Sequence, residues 1–182
     1  MKHFLIVVDM QKDFVDGALG SPEAVAILPH VVEKITSFDG EVIVTYDTHT
    51  EQYMSTNEGS HLPVPHCIKG TPGWLLDAQV QKALEGRTYQ TVEKPTFGST
   101  ALAALVRDMA KDQPFTIELI GLCTDICVVS NALLLKAHFP ESEIFVDAAC
   151  CAGVSPQTHR AALATMQCCQ IQIKNAQLGD ET

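Results

Sequence analysis

FLIVVDMQKDF, at residues 4–14, is the stretch that decides the fold, because five apolar residues run directly into the polar Asp9. An apolar run without polar alternation is typical of a strand that is covered on both faces. The run is too short to span a membrane, and no small-residue cleavage site follows it, so it does not have the features of a signal peptide. We predict a buried β-strand that opens the fold.

Short runs rich in β-branched residues alternate with longer helix-like stretches along the rest of the chain. The predicted strands are His3–Val8, Glu41–Tyr46, Thr88–Glu93, Thr116–Ile120, Glu143–Val146 and Gln170–Ile173. The predicted helices are Pro22–Phe38, Thr100–Lys111, Ile126–Phe139 and Pro156–Gln167. This alternation predicts a three-layer α/β sandwich, in which helices flank a mainly parallel sheet. Functional side chains in such a fold lie beyond the carboxyl ends of the strands.

Composition limits the class of protein. With 182 residues, 46% of them hydrophobic, the chain is expected to form a single domain over residues 1–182, with fraying at 178–182. The net charge of −10 argues against nucleic acid and membrane surfaces as partners, and it is compatible with a small uncharged substrate. The seven cysteines show neither a repeated C-x-x-C spacing nor a secreted framework, which indicates reduced thiols and a cytoplasmic protein. A homo-oligomer is compatible with these features.

Three polar side chains follow three different predicted strands. Asp9 ends FLIVVD, Lys94 ends TYQTVEK, and Cys127 opens an apolar helix after ELIGLCTDI. Each residue also has an ordinary explanation, since an aspartate can cap a helix, a lysine can be solvated and a cysteine can pack in the core. A parallel sheet nevertheless brings its strand ends to one rim, where the three side chains can meet.

Together these side chains predict a nucleophilic thiol. A cysteine in the first turn of a helix lies at the positive end of the helix dipole, which favours the thiolate. We expect the Lys94 ammonium to lower the pKa of Cys127 further, and Asp9 to accept the thiol proton and pass it to a leaving amine. Thr124 and Asp125 are suitable capping residues for this helix.

Three motifs resemble those of the isochorismatase-like cysteine hydrolases, in the same order and over nearly the whole chain. They are DMQKDF at Asp9–Phe14, EKPTFGS at Glu93–Ser99 and GLCTDICV at Gly121–Val128. The resemblance implies a Rossmann-like sheet of six strands in the order 3-2-1-4-5-6. No G-x-G-x-x-G follows the first strand, so dinucleotide binding is not expected.

The same resemblance assigns roles to individual residues. It implies a catalytic triad of Asp9, Lys94 and Cys127. It also implies a cis peptide bond between Leu122 and Cys123, and an oxyanion hole formed by the backbone N–H groups of Cys123 and Cys127.

A second polar group lies in the long irregular stretch from Asp47 to Trp74. Two histidines with one or two carboxylates suit a divalent transition metal, most commonly zinc, with iron or manganese as alternatives. The residues alone fit a polar loop with scattered histidines at least as well. DTH followed by PHCIKGTPG, however, resembles the metal loop of the nicotinamidase/pyrazinamidase branch of the family. That resemblance implies one divalent metal ion, with the shared ligands Asp47, His49 and His66.

The additional metal ligand is predicted to be Glu58, with His61 as its rival, because the family varies at this position. Other histidines lie on predicted helices and are expected at the surface or in helix caps rather than as ligands: His30, His138 and His159.

These assignments predict a nicotinamidase that hydrolyses nicotinamide to nicotinate and ammonia through a thioester at Cys127, in NAD salvage. The resemblance places Phe14 and Phe97 beside the substrate ring, although ordinary core packing explains a buried phenylalanine equally well. One alternative is a family member that cleaves another small amide or ureido compound. A second is a catalytically silent α/β binding module. Isochorismatase itself is disfavoured, because that enzyme does not use the nucleophilic cysteine present here.

Overall fold

A computed structural model of the chain describes residues 1–176 and contains a six-stranded sheet with helices on both faces. The strands are β1 (Lys2–Val8), β2 (Glu41–Asp47), β3 (Tyr89–Lys94), β4 (Phe115–Leu122), β5 (Glu143–Ala152) and β6 (Gln172–Lys174). Their order is β3-β2-β1-β4-β5-β6, and every pairing is parallel. The predicted fold class and strand order are confirmed. The fraying predicted at 178–182 lies outside the described residues.

The opening strand β1 occupies the middle of the sheet and is buried on both faces, as its apolar run predicts. Phe4 and Ile6 pack into the core on one side, whereas Leu5 and Val7 pack into the core on the other, and all four are fully buried. Because both faces contribute, truncation of a side chain such as Ile6 to alanine should cost about 2–5 kcal/mol of stability.

The helices form the two outer layers. They are α1 (Lys12–Val15), α2 (Pro22–Ala26), α3 (Leu28–Ser37), α4 (Asn57–His61), α5 (Ala78–Ala83), α6 (Thr100–Ala110), α7 (Val129–His138) and α8 (Pro156–Cys168). Helices α6, α7 and α8 cover one face of the sheet, and α1, α2, α3 and α5 cover the other. Every helix in residues 1–176 falls short of what a membrane span requires.

Two predictions about regular structure need correction. The single helix predicted at Pro22–Phe38 is two helices, α2 and α3, separated at Ile27. Pro29 explains the interruption, because proline has no N–H to donate to the carbonyl four residues earlier. The stretch from Asp47 to Trp74 is also less irregular than predicted, since it contains α4 and two 3₁₀ turns.

Candidate active site

The carboxyl ends of the central strands bring the predicted site residues together. Asp9 directly follows β1, while Asp47 and Lys94 end β2 and β3 and are register partners in that parallel pair. At the end of β4, Gly121 has a φ of 115°, and a Cβ there would lie 2.1 Å from the Val8 carbonyl oxygen. Glycine is therefore required for this close approach of β4 to β1.

The three predicted triad side chains are in contact and almost fully buried. The Lys94 ammonium lies 2.6 Å from Oδ2 of Asp9 and 3.4 Å from Sγ of Cys127. Asp9 itself adopts a left-handed φ of 47°, a conformation that aspartate tolerates better than most residues. The structure thus brings an acid, a cation and a thiol to one point, which is the arrangement that nucleophilic catalysis needs.

Thr45 is a site residue that sequence reasoning missed. Its hydroxyl donates a hydrogen bond of 2.5 Å to Oδ1 of Asp9 and accepts one of 3.2 Å from the Asp9 backbone N–H. The available signal was a polar residue inside the apolar strand EVIVTYD. A fully buried hydroxyl needs a partner, and the strand end beside Asp9 provides one.

Burial and neighbouring charges shift the pKa values of Asp9 and Lys94. Burial raises the pKa of Asp9, Lys94 opposes that effect, and Asp47 adds to it, so that the net pKa lies above the ordinary value of 3.8. For Lys94, burial disfavours the ammonium, but the nearby Asp9 outweighs it and raises the pKa. Lys94 is therefore a permanent cation, whereas Asp9 is a stronger base than an exposed aspartate.

Lys94 lowers the pKa of Cys127, as expected, but the net pKa is raised because other effects outweigh it. Burial raises the pKa of the thiol well above 9.0, Asp9 raises it further, and Lys94 only partly compensates. In the free protein the proton therefore stays on sulfur, next to the base that would accept it.

The local structure around Cys127 also differs from the predicted helix start. Thr124–Val128 forms a π-helical turn that precedes α7, and no side chain caps it. Asp125 instead accepts a hydrogen bond from the Val154 backbone, and Thr124 pairs with His159 at 2.8 Å.

The helical histidines divide between surface and core. His159 is 1% exposed, so the expectation of a surface or capping role is wrong for this residue, whereas His30 and His138 are exposed as predicted. The hydrogen bond between His159 and Thr124 explains why an imidazole is tolerated in the core.

Beside the nucleophile, the peptide bond between Leu122 and Cys123 is cis, as the resemblance implies. Cys123 and Cys127 both line one cavity, so the two predicted oxyanion-hole residues are adjacent to the same space. Burial, followed by the charge of Asp125, raises the pKa of Cys123 to about 12, so this second thiol stays protonated.

Four side chains form a cluster that could hold a metal ion. Each of Asp47, His49, Glu58 and His66 offers one ligand atom, and these atoms lie within 4.8 Å of one another. Two imidazoles and two carboxylates are donors that suit a divalent transition metal, so the residues fit the predicted cofactor. His61 is outside this cluster; it is exposed, and its Nδ1 is 2.8 Å from the Asn57 carbonyl oxygen.

Gln11 and Asp13, at the start of α1, form hydrogen bonds that fix the backbone at Asp47 and beside His66. Gln11 donates to the Asp47 carbonyl at 2.9 Å and accepts from the Asp47 N–H at 2.7 Å, and Asp13 accepts from the Cys67 N–H at 2.8 Å. Both residues belong to DMQKDF, but their roles were not predicted. The available signal was a glutamine in a short polar motif that directly follows an apolar strand.

A cavity of about 530 Å³ opens directly onto both clusters. Its polar lining includes Cys127 together with Asp47, Glu58 and His66. The rest is mostly apolar and includes Phe14, Leu62, Phe97, Leu122, Ile126 and Val154. Its size and mixed lining are typical of a small-molecule site. Phe14 is almost buried and its ring centroid lies 5.4 Å from that of His66, whereas Phe97 is 42% exposed.

Known proteins are similar to this chain in both sequence and fold. The chain is 27% identical over 186 residues to a nicotinamidase/pyrazinamidase of Mycobacterium tuberculosis, covering 93% of this chain and 96% of that protein. A crystal structure of a Bacillus subtilis nicotinamidase/pyrazinamidase matches with a TM-score of 0.81 and 27% identity, over 96% of this chain and all of that one. A Pyrococcus horikoshii pyrazinamidase in complex with zinc matches with a TM-score of 0.78 and 28% identity, covering 95% and 98%.

The fold and these relatives define the class of protein as an amidohydrolase. The isochorismatase domain matches residues 3–177, and the chain belongs to the isochorismatase family.

Proposed function

We propose that this chain is a nicotinamidase, which hydrolyses nicotinamide to nicotinate and ammonia. The observation that carries this proposal is the position of Asp47, whose carboxylate contacts Lys94 with one oxygen and His49 with the other. Cys127 and three of the metal-ligand residues, Asp47, Glu58 and His66, line one cavity, so that a small aromatic amide bound there could contact both. The names of the relatives support the same substrate.

Substrate binding would use both the metal-ligand cluster and the thiol that border the cavity. A divalent ion held by Asp47, His49, Glu58 and His66 would supply a coordination position for the pyridine nitrogen. The rings of Phe14 and Phe97 border the cavity and would contact the aromatic ring of the substrate. The carboxamide would then lie at the thiol of Cys127, which lines the same space.

In the first chemical step, Sγ of Cys127 attacks the carboxamide carbon while its proton moves to Asp9. The raised pKa of Asp9 favours this transfer, because a general base is most effective when its pKa approaches the working pH. The negative charge that develops on the substrate oxygen would be stabilised by the N–H groups of Cys123 and Cys127. Lys94 compensates the charge on Asp9 from 2.6 Å.

In the second step, Asp9 returns the proton to the departing nitrogen, the C–N bond breaks, and ammonia leaves a thioester on Cys127. A water molecule then gives a proton to Asp9 as its oxygen attacks the thioester carbon. The C–S bond breaks, the proton on Asp9 returns to the sulfur, and nicotinic acid leaves and ionises to nicotinate by giving its proton to water or to the released ammonia. The product is a precursor for pyridine nucleotides, so we place the reaction in cytoplasmic NAD salvage by a single-domain enzyme.

An assay of ammonia release with purified protein and nicotinamide tests this proposal, with metal content measured on the same sample. We expect turnover together with one divalent ion per chain. Ammonia release from other small amides or ureido compounds, but not from nicotinamide, would reject the substrate and retain the triad. No hydrolysis of any amide by metal-loaded protein would favour the binding-module alternative.

A further inference from the structure

Asn131 connects two parts of the cavity wall without lining the cavity itself. It lies on α7, four residues after Cys127, and is 1% exposed. Its side-chain N–H₂ donates to the Cys127 carbonyl at 2.8 Å and to the Phe97 carbonyl at 3.0 Å, and its Oδ1 accepts from the Ser99 N–H at 3.0 Å. Both amide hydrogens and the amide oxygen are therefore used.

Two of these three partners belong to the loop at residues 95–99, which joins β3 to α6. Near the start of this loop, Lys94 donates to the Thr96 carbonyl at 3.2 Å. At its end, Ser99 caps α6 by accepting a hydrogen bond from the Leu102 N–H. Asn131 binds the middle, at the peptide groups on either side of Gly98. The loop is thus fixed at three points. The hydrogen bonds between the loop and α7, the helix that follows Cys127, are made by Asn131.

The ring of Phe97 depends on this attachment. It lines the cavity but is 42% exposed, so surrounding side chains hold it only in part. Elsewhere the loop packs against the apolar side chain of Leu134 on α7. Gly98 lies so close to this side chain that a Cβ at residue 98 would be 2.5 Å from Cδ1 of Leu134. Apolar packing is not directional, whereas three hydrogen bonds to one planar amide specify both position and orientation.

We propose that Asn131 is a positioning residue, which holds Phe97 at a fixed place relative to the Cys127 thiol and thereby sets the binding geometry of an aromatic substrate. This inference rests on the proposed function for the identity of the substrate ring. Misplacement of a substrate by about 1 Å can reduce a rate by about 10²-fold, so a loop that moves slightly should have a measurable effect.

A purely structural role for Asn131 predicts different behaviour. It would lower stability and the fraction of active protein without changing the affinity of the remaining active molecules. A positioning role predicts that Asn131→Ala raises the KM for nicotinamide by about tenfold, the change expected when an ordinary hydrogen bond is lost. It also predicts faster amide hydrogen exchange at residues 97–99.

The test compares Asn131→Ala with Val106→Ala, a truncation on α6 in the buried core on the same face of the sheet. Both variants should melt at lower temperature, but only Asn131→Ala should raise KM and accelerate exchange in the loop. Each is also combined with Phe97→Ala. If Asn131 acts through Phe97, its effect on KM should largely disappear in that background, because coupled residues are not additive.

Unchanged exchange at residues 97–99, or the same fold-change in KM with and without Phe97, would overturn the inference. If Asn131→Ala does not fold, Asn131→Ser keeps a small polar group at the position and provides the same comparison. Wild-type protein that fails to hydrolyse nicotinamide would reject the proposed function alone. The exchange measurement needs no substrate and would still decide whether Asn131 holds the loop.

Discussion

Asp47 connects the metal-ligand cluster to Lys94 through a single carboxylate. Its Oδ1 lies 3.2 Å from the Lys94 ammonium, while its Oδ2 lies 3.0 Å from Nε2 of His49 and 3.5 Å from that of His66. Burial raises the pKa of Asp47, but the hydrogen bonds with the two histidines and the charge of Lys94 outweigh it and keep the group ionised. Any change at Asp47 should therefore affect both the metal and the triad.

Metal content should separate the cluster from the other histidines. His49→Ala removes one of two imidazole ligands, and we expect less than about a tenth of wild-type metal to remain after dialysis. His61→Ala and His30→Ala should retain the metal, because neither residue belongs to the cluster. Elemental analysis of the purified variants provides the measurement. Full metal content in His49→Ala would contradict the assigned ligand set.

The nucleophile can be tested against a cysteine elsewhere in the chain. Cys127→Ala removes the attacking sulfur, so ammonia release should fall by at least about 10³-fold with no loss of folded protein. Cys168→Ser is the matched control, because Cys168 is exposed at the end of α8 and should leave turnover unchanged. Comparable loss in both variants, or near-normal turnover in Cys127→Ala, would exclude the proposed nucleophile.

The pH dependence of kcat/KM should report the environment of Asp9. Activity requires ionised Asp9 and falls as the pH drops through its pKa, which burial raises, so the acid limb should lie above 3.8. Thr45→Val removes a hydrogen bond that favours the carboxylate, so the pKa should rise and the limb should move to higher pH. Thr91→Val, on the exposed side of β3, is the control. An acid limb that Thr45→Val leaves in place would contradict this role of Asp9.

The sequence predicted the main features of the fold because they depend on local patterns. The five-residue apolar run before Asp9 identified a strand buried on both faces, and β1 is indeed central. Polar residues at strand ends meet in any parallel sheet, which explains why the cluster of Asp9, Lys94 and Cys127 could be anticipated. Family motifs supplied the strand order and the metal loop.

The remaining features depend on contacts between distant residues. The raised pKa of Cys127 arises from burial and from Asp9, neither of which is visible in the turn that contains the thiol. His159 was expected at the surface or in a helix cap because it lies on a predicted helix, but its partner Thr124 is 35 residues earlier. Asn131 similarly hydrogen-bonds a loop more than 30 residues away. Helical periodicity gives no information about such pairs.

Lys34 should contribute to stability at a distance from the candidate site. Its ammonium lies 2.6 Å from Glu118 and 2.7 Å from Asp147, both buried in the sheet. Lys34→Met would remove this cation from both carboxylates. Glu118 would keep the Lys174 ammonium at 2.7 Å, so the loss at Asp147 should dominate and lower the free energy of unfolding at pH 7 by about 3 kcal/mol. Urea unfolding provides the measurement, and the exposed Lys82→Met should change stability by less than about 0.5 kcal/mol.

The pH dependence of this contribution has a defined sign. Burial disfavours the charged ammonium, but the two carboxylates outweigh burial and raise the pKa of Lys34 above 10.5. A raised folded-state pKa stabilises the protein fully below the unfolded value and loses that effect as the pH rises through the folded value. The difference in free energy of unfolding between wild type and Lys34→Met should thus stay constant from about pH 7 to about pH 10 and shrink at higher pH. A difference that is absent at pH 7 would contradict the prediction.

Substrate discrimination tests the link between the metal-ligand cluster and the amide chemistry. Benzamide has the shape and carboxamide of nicotinamide but lacks the ring nitrogen that a metal ion at Asp47, His49, Glu58 and His66 would bind. A site built to hold a polar atom rejects an analogue without that atom strongly, because its own polar groups are then left unpaired. We expect nicotinamide and pyrazinamide to be hydrolysed with a kcat/KM more than about 10² times that of benzamide.

Removal of the metal by a chelator should abolish this preference together with most of the activity, and added zinc, iron or manganese should restore both. Because His61 lies outside the cluster, His61→Ala should keep the wild-type ratio of kcat/KM for nicotinamide to that for benzamide. If benzamide is hydrolysed equally well by metal-loaded protein, the ring nitrogen is not bound by the metal. If all three amides are inert while another small amide is cleaved, the roles of Asp9, Lys94 and Cys127 stand and the substrate lies elsewhere among the small amides.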